Sequence, residues 1–221
     1  MQASQKYSGR TLRIYFVRHG QTSLIRDNLF CGTSNPELTP AGQRMAESLA
    51  RVYGRLKWKA IYSSPQRRAI QTARPIAEKI GRRILIEAGL REIDYGRWEG
   101  LSDAQVRRRW KRDFLRWTAD PGSNAPTGGE TAREVAARAG KVCDRIRKRH
   151  RSGNVMVISH KATIRILICH LLGIEVGRYR YRLSAPLAGV SIVNFAAHGP
   201  MLKSLGDTAH LPGEIRKLSG G

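Results

Sequence analysis

Three short apolar runs, each halted by a polar cluster, constrain this chain more than any other feature. Leu12 to Val17 (LRIYFV) stops at Arg18-His19-Gly20, Ala60 to Ser64 (AIYSS) gives way to Arg67-Arg68, and Asn154 to Ser159 (NVMVIS) stops at His160. β-Branched and aromatic runs of this length read as buried strands. Helices lie between them. Thr39 and Pro40 suit the cap and first position of an amphipathic helix reaching Leu56, Gln66 to Ile80 forms a second closed by Gly81, and a third runs from about Ala162 to Leu172. A further strand, Arg83 to Ala88, leads to Leu90-Arg91-Glu92, and Val190 to Ala196 with Met201 to Leu205 reads as a closing antiparallel pair. Strands alternating with helices imply an α/β fold: a three-layer α/β/α sandwich on a mainly parallel, mixed sheet.

Between about Ser102 and Arg149, two helical stretches flank Asp120 to Glu130 (DPGSNAPTGGE), whose proline and glycine forbid continuous helix; the region reads as a helical insertion. No repeat, low-complexity tract or linker divides the chain. It reads as one domain over residues 1–221, with a polar leader at 1–10 and a tail from about 207 to 221. Leu183 to Leu202 is uncharged but too interrupted by Pro186, Gly189, Asn194, Gly199 and Pro200 for a membrane span, and the leader lacks a signal-peptide core. A cytoplasmic location is expected. Cys31, Cys143 and Cys169 are odd in number and lack CxxC spacing, which argues against a disulfide scaffold and a zinc cluster. The 40 Lys and Arg against 17 Asp and Glu give a net charge of +23, which serves polyanions, anionic small molecules or simple solvation.

Ligand sites in open α/β sheets lie outside the carboxyl ends of the strands. Here those ends carry Arg18, His19, Ser63, Ser64, Arg67, Arg68, Glu92 and His160. Two histidines, several arginines and a carboxylate suit phosphoryl transfer. Guanidinium forks hold phosphoryl oxygens, a neutral imidazole can attack phosphorus, and a carboxyl can protonate the leaving alkoxide.

A family resemblance sharpens this reading. Val17-Arg18-His19-Gly20-Gln21-Thr22 resembles the signature of the histidine phosphatase superfamily, the phosphoglycerate mutase-like enzymes. Ser63 to Ala73 (SSPQRRAIQTA), Leu90 to Gly100 (LREIDYGRWEG) and Val157-Ile158-Ser159-His160 resemble its further motifs, in the expected order. The resemblance spans about residues 12–208. It implies that His19 becomes phosphorylated, that Arg18, Arg68 and His160 hold the phosphoryl oxygens, and that Glu92 protonates the leaving group, with no metal and no cofactor. Lys161 stands where many relatives have glycine and adds a cation, while Asn28 is an approximate equivalent of a family asparagine; both join the implied substrate-binding set. Arg67 competes with Arg68, which the family register favours, and Glu99 with Glu92, Glu99 being more often a loop brace. The Gly-x-Trp-Glu-Gly form at 96–100, without the longer insertion of cofactor-dependent glycerate mutases, resembles the phosphatase branch.

The expected function is metal-independent hydrolysis of a small anionic phosphorylated metabolite through a phosphohistidine. A phosphoglycerate mutase primed by a bisphosphate is the alternative, and a basic nucleic-acid or phosphoprotein binder a third. The tracts Arg107 to Arg112 and Arg145 to Arg151 permit nucleic-acid binding. The simpler reading is that the second ends a helix, where cations favour the macrodipole, and that Trp110, Phe114 and Trp117 are packing residues at helical spacing. His150, His170 and His198 read as structural, His210 as either mouth or tail, and Glu130 as capping the following helix and bordering the pocket. Val190 to Ala196 suits pairing within the sheet or across a homodimer.

Overall fold

The apolar runs form the strands that their composition predicts. A computed structural model describes residues 11–218; the leader at 1–10 and the end of the tail, 219–221, lie outside the described residues. In chain order come β1 (Leu12–Arg18), α1 (Ser23–Arg26), α2 (Pro40–Tyr53), β2 (Trp58–Ser63), α3 (Arg67–Lys79) and β3 (Ile84–Ile86). Next are α4 (Asp103–Arg109), α5 (Lys111–Ala119), α6 (Ala132–Arg149), β4 (Gly153–Ser159) and α7 (Lys161–Leu172). The described chain closes with α8 (Tyr179–Arg182), β5 (Val190–Ala196), β6 (Gly199–Asp207) and α9 (Gly213–Arg216).

The six strands form one mixed sheet in the order β3-β2-β4-β1-β5-β6. Neighbours from β3 to β1 are parallel, while β5 runs antiparallel to both β1 and β6. Strand alternation sorts side chains between two cores. Leu12, Ile14 and Phe16 of β1, with Val155 and Val157 of β4, pack against Ala139, Val142 and Ile146 of α6 and Ile164, Leu167 and Ile168 of α7. Tyr15, Val17, Met156 and Ile158 face the other way onto Leu49 and Ala50 of α2 and Ala69, Ala73 and Ile76 of α3. Helices thus cover both faces, giving the α/β/α sandwich. Each fully buried Ile, Leu or Val contributes roughly 1.5–3 kcal/mol.

Several boundaries differ from the sequence reading. α2 stops at Tyr53 rather than Leu56, its Gly54 cap donating to Ala50 O. Trp110, at φ −132° and ψ 51°, breaks the stretch after Ser102 into α4 and α5. The break lets Phe114 and Trp117 bury with Trp98 and Val106, against which Trp110 packs. α6 belongs to the sandwich rather than to an insertion, since its apolar stripe lies on the central strands. β5 is paired on both edges inside this sheet. No helix among the described residues is long and apolar enough to cross a membrane.

The register determines where polar residues emerge. Arg18 lies opposite Ser159 across the β1–β4 ladder, and His19 N donates to Ser159 O at 3.0 Å, so both strands end at the same level. His19 and His160 therefore leave adjacent central strands side by side.

Candidate active site

Tight backbone approach fixes the turn after β1. A Cβ on Gly20 would lie 2.6 Å from Gly42 O, so only glycine lets this turn pass α2. Gly20 N donates to Thr72 Oγ1 at 3.0 Å, which ties the turn to α3. The side chain of His19 then points inward and is 2% exposed. Its Nδ1 lies 2.7 Å from Gly20 O. A carbonyl only accepts, so Nδ1 carries the proton and Nε2 keeps its lone pair. Burial, reinforced by the Arg68 and Arg18 guanidiniums, holds this imidazole well below the ordinary histidine range and therefore neutral.

His160 occupies the cap position of α7, which starts at Lys161, one residue earlier than expected, and it is fully buried. The two imidazole rings are 5.0 Å apart. Arg68 Nε donates to His160 Nδ1 at 3.2 Å, and His160 Nε2 lies 2.8 Å from Ser64 Oγ. Arginine has no acceptor, so Nδ1 is the bare nitrogen and Nε2–H donates to Ser64. Burial first, then Arg68, pushes His160 well below its ordinary range too. Arg68 also donates from Nη1 to Ser34 O at 2.6 Å and from Nη2 to Gly32 O at 3.0 Å and Cys31 O at 3.4 Å. The 31–34 loop is thus folded around the guanidinium.

Glu92 reaches the site from the turn after β3. Its Oε1 accepts from Ile93 N, Thr163 N and Thr163 Oγ1 at 2.9–3.0 Å, and its Oε2 only from Ala162 N at 3.1 Å. The carboxyl group therefore rests on the first turn of α7, with Oε2 the less committed oxygen. Arg18 Nη1 donates to Ala185 O at 2.9 Å, while its buried Nε has no partner among the described residues. Burial lowers the Arg18 guanidinium to about 10, which still leaves it charged at neutral pH.

Arg18, His19, Asn28, Glu92 and Lys161 line one cavity of about 510 Å³. That size suits a small metabolite. Asn28 sits at φ +55°, a left-handed position that asparagine tolerates. Arg68 and His160 are packed behind His19 rather than in the cavity lining. Arg67 points away to the exposed Glu37, and Glu99 collects the amides of Gly32, Thr33 and Ser34 at 2.8–3.2 Å, bracing the loop that holds Arg68. One reading is corrected, and for His210 the tail alternative holds. Glu130 does not cap α6, a role taken by Thr131 with Glu134; it pairs instead with Arg138 at 2.8 Å. His210 is absent from the cavity lining and packs edge-on against Tyr53, with ring centroids 5.4 Å apart.

Sequence reasoning missed Gln66, which joins three segments by accepting from Glu92 N at 2.9 Å and donating to Gly32 O. It also missed Thr163 under Glu92 and the lining cations Arg165 and Arg180. Only the i, i+4 spacing of Lys161 and Arg165 signalled one of them.

Comparison with known proteins adds an independent line. The sequence model of the histidine phosphatase superfamily (branch 1) matches residues 14–208. Phosphoserine phosphatase 1 of Hydrogenobacter thermophilus is 30% identical over 200 residues, covering 90% of this chain and 94% of that protein. The 2,3-bisphosphoglycerate-dependent phosphoglycerate mutase of Bartonella bacilliformis is 30% identical over 169 residues, 73% of this chain and 82% of that one. The structure of a mycobacterial glucosyl-3-phosphoglycerate phosphatase superposes with a TM-score of 0.81 at 26% identity, covering 90% of this chain and all of the other.

Proposed function

The chain belongs to the histidine phosphatase superfamily, branch 1, and we propose that it hydrolyses small anionic phosphomonoesters through a phosphohistidine at His19, without a metal. One observation carries this reading: a neutral imidazole whose Nδ1–H is held by Gly20 O, which leaves Nε2 bare, lines a cavity shared with Arg18, Glu92 and Lys161. Attack by Nε2 on phosphorus forms the N–P bond as the P–O bond to the alcohol breaks. Arg18 holds the phosphoryl oxygens, joined by Arg68 and His160 once these exchange their present contacts with the 31–34 carbonyls and Ser64 for the phosphoryl group; Asn28 and Lys161 help to seat the ester, and the Glu92 carboxyl passes its proton to the leaving alkoxide. Water then attacks the phosphohistidine, Glu92 takes its proton, and the imidazole is restored. Fixed guanidiniums supply the charge neutralisation on which phosphoryl transfer depends. The two cores on one sheet support a single catalytic unit. The inward packing of Phe114 and Trp117, and the pairing of Arg145 with Glu87 and Arg147 with Asp144, favour a metabolite over a nucleic-acid partner.

The test is phosphate release by wild-type and His19→Ala protein, with chelator present, from a phosphomonoester panel that includes phosphoserine and 3-phosphoglycerate. Wild type is expected to release phosphate and to hold an acid-labile phosphoryl group. His19→Ala is expected to lose at least about a thousandfold in kcat. Isomerised 3-phosphoglycerate without net release would make the protein a mutase instead.

A further inference from the structure

The cavity wall beyond His19 holds cations that the hydrolytic steps do not require. Lys161 and Arg165 lie four residues apart on α7, hence on one face and roughly 6 Å apart along the helix axis. Arg180 reaches the same cavity from α8, its guanidinium stacked 3.8 Å from the centre of the Trp117 ring. Arg165 is only 8% exposed. Its Nε and Nη2 donate to Tyr179 O at 3.2 and 3.1 Å, and Nη2 also to Arg180 O. That leaves Nη1 without a partner among the described residues.

The cations outnumber their counter-charges. Glu92 and Asp103 are the carboxylates in this lining, and Glu92 is already committed to the first turn of α7. Burial, with Arg18 and Arg165 adding to it, pushes the Lys161 ammonium down to about 8. Holding like charges together on a partly dry wall costs free energy that a bound anion offsets.

We propose that Lys161, Arg165 and Arg180 form a second anion subsite that selects phosphomonoesters carrying a carboxylate on the same carbon skeleton. This rests on the hydrolase reading above. The phosphoryl group occupies the His19 end, and the carboxylate takes one oxygen to Arg165 Nη1 and the other to the Lys161 ammonium. Each presents one donor nitrogen to one oxygen of the planar carboxylate, and Arg180 on the same wall adds positive charge that favours the anion.

Matched pairs test the assignment. Phosphoserine and phosphoethanolamine differ only by the carboxylate, 3-phosphoglycerate and glycerol 3-phosphate nearly so, and glucose 1,6-bisphosphate against glucose 6-phosphate asks the same of a second phosphate. Wild type is expected to favour the carboxylate member of each of the first two pairs by about 10- to 100-fold in kcat/KM, mostly through KM. Lys161→Met, Arg180→Gln and Arg165→Gln are expected to bring those ratios toward one. Should Arg165→Gln fail to fold, having lost its hold on α8, the other two variants carry the test. Ratios near one in wild type, or unchanged in the variants, overturn the subsite while leaving hydrolysis standing. Preference for the bisphosphate alone overturns the carboxylate. If wild type hydrolyses nothing, the hydrolase reading fails and calorimetric titration of His19→Ala decides the subsite: tighter binding of phosphoserine than of phosphoethanolamine supports it, and equal affinity rejects it.

Discussion

Three buried histidines show how differently one residue type is used. His19 and His160 have their ring nitrogens directed by Gly20 O, Arg68 and Ser64, so burial yields a defined tautomer in each. His210 is 7% exposed, and neither ring nitrogen has a partner among the described residues. Burial lowers it to about 4, against the pull of Asp207 and with help from Arg216. The consequence is a stability term with a definite sign. Below about pH 6.5 the unfolded chain takes up this proton before the native one does, so stability falls from about 6.5 down to about 4, by up to about 3 kcal/mol. His210→Phe is expected to flatten that part of the pH–Tm curve, as thermal unfolding from pH 4 to 7 would reveal. An unchanged slope would mean that other groups carry it.

At the scale of elements, the site depends on loops locked by residues that never face the cavity. Glu99 holds the amides of residues 32–34, and the carbonyls of residues 31, 32 and 34 hold Arg68. Glu99→Ala is expected to lower kcat/KM by about 10- to 100-fold and Tm by several degrees, because charge-assisted bonds to backbone amides are lost together. Glu99→Gln, which keeps one acceptor, should recover part of both; paired kinetics and calorimetry would separate misplacement of Arg68 from general loosening. This bracing also marks what could be read beforehand. Arg18, His19 and His160 were legible because an apolar run that stops abruptly marks a strand end, and strand ends are where such sheets bind ligands. Gln66, Thr163 and Glu99's grip on the loop around Arg68 act across elements distant in sequence, and periodicity carries no information about such partners. α6 shows the same limit: its amphipathic stripe declared a buried face but not which surface would cover it.

Over the whole molecule, a net charge of +23 surrounds a cavity that admits anions. Such a field draws anionic substrates inward and is screened within about 10 Å at 0.1 M salt. Raising ionic strength is therefore expected to lower kcat/KM for a dianionic phosphomonoester several-fold while leaving kcat nearly constant; equal loss in both would place the effect on the chemical step instead. The flush ending of β1 and β4 has a different consequence. The proposed nucleophile and its partner histidine share one hydrogen-bond ladder although most of the chain lies between them. Contacts of such long sequence separation are slow to close. On the proposed mechanism a growing chain is expected to be catalytically silent until β4 emerges and docks, and a fragment cut short of His160 to be inert rather than unregulated. Return of activity during refolding would time that one strand pairing.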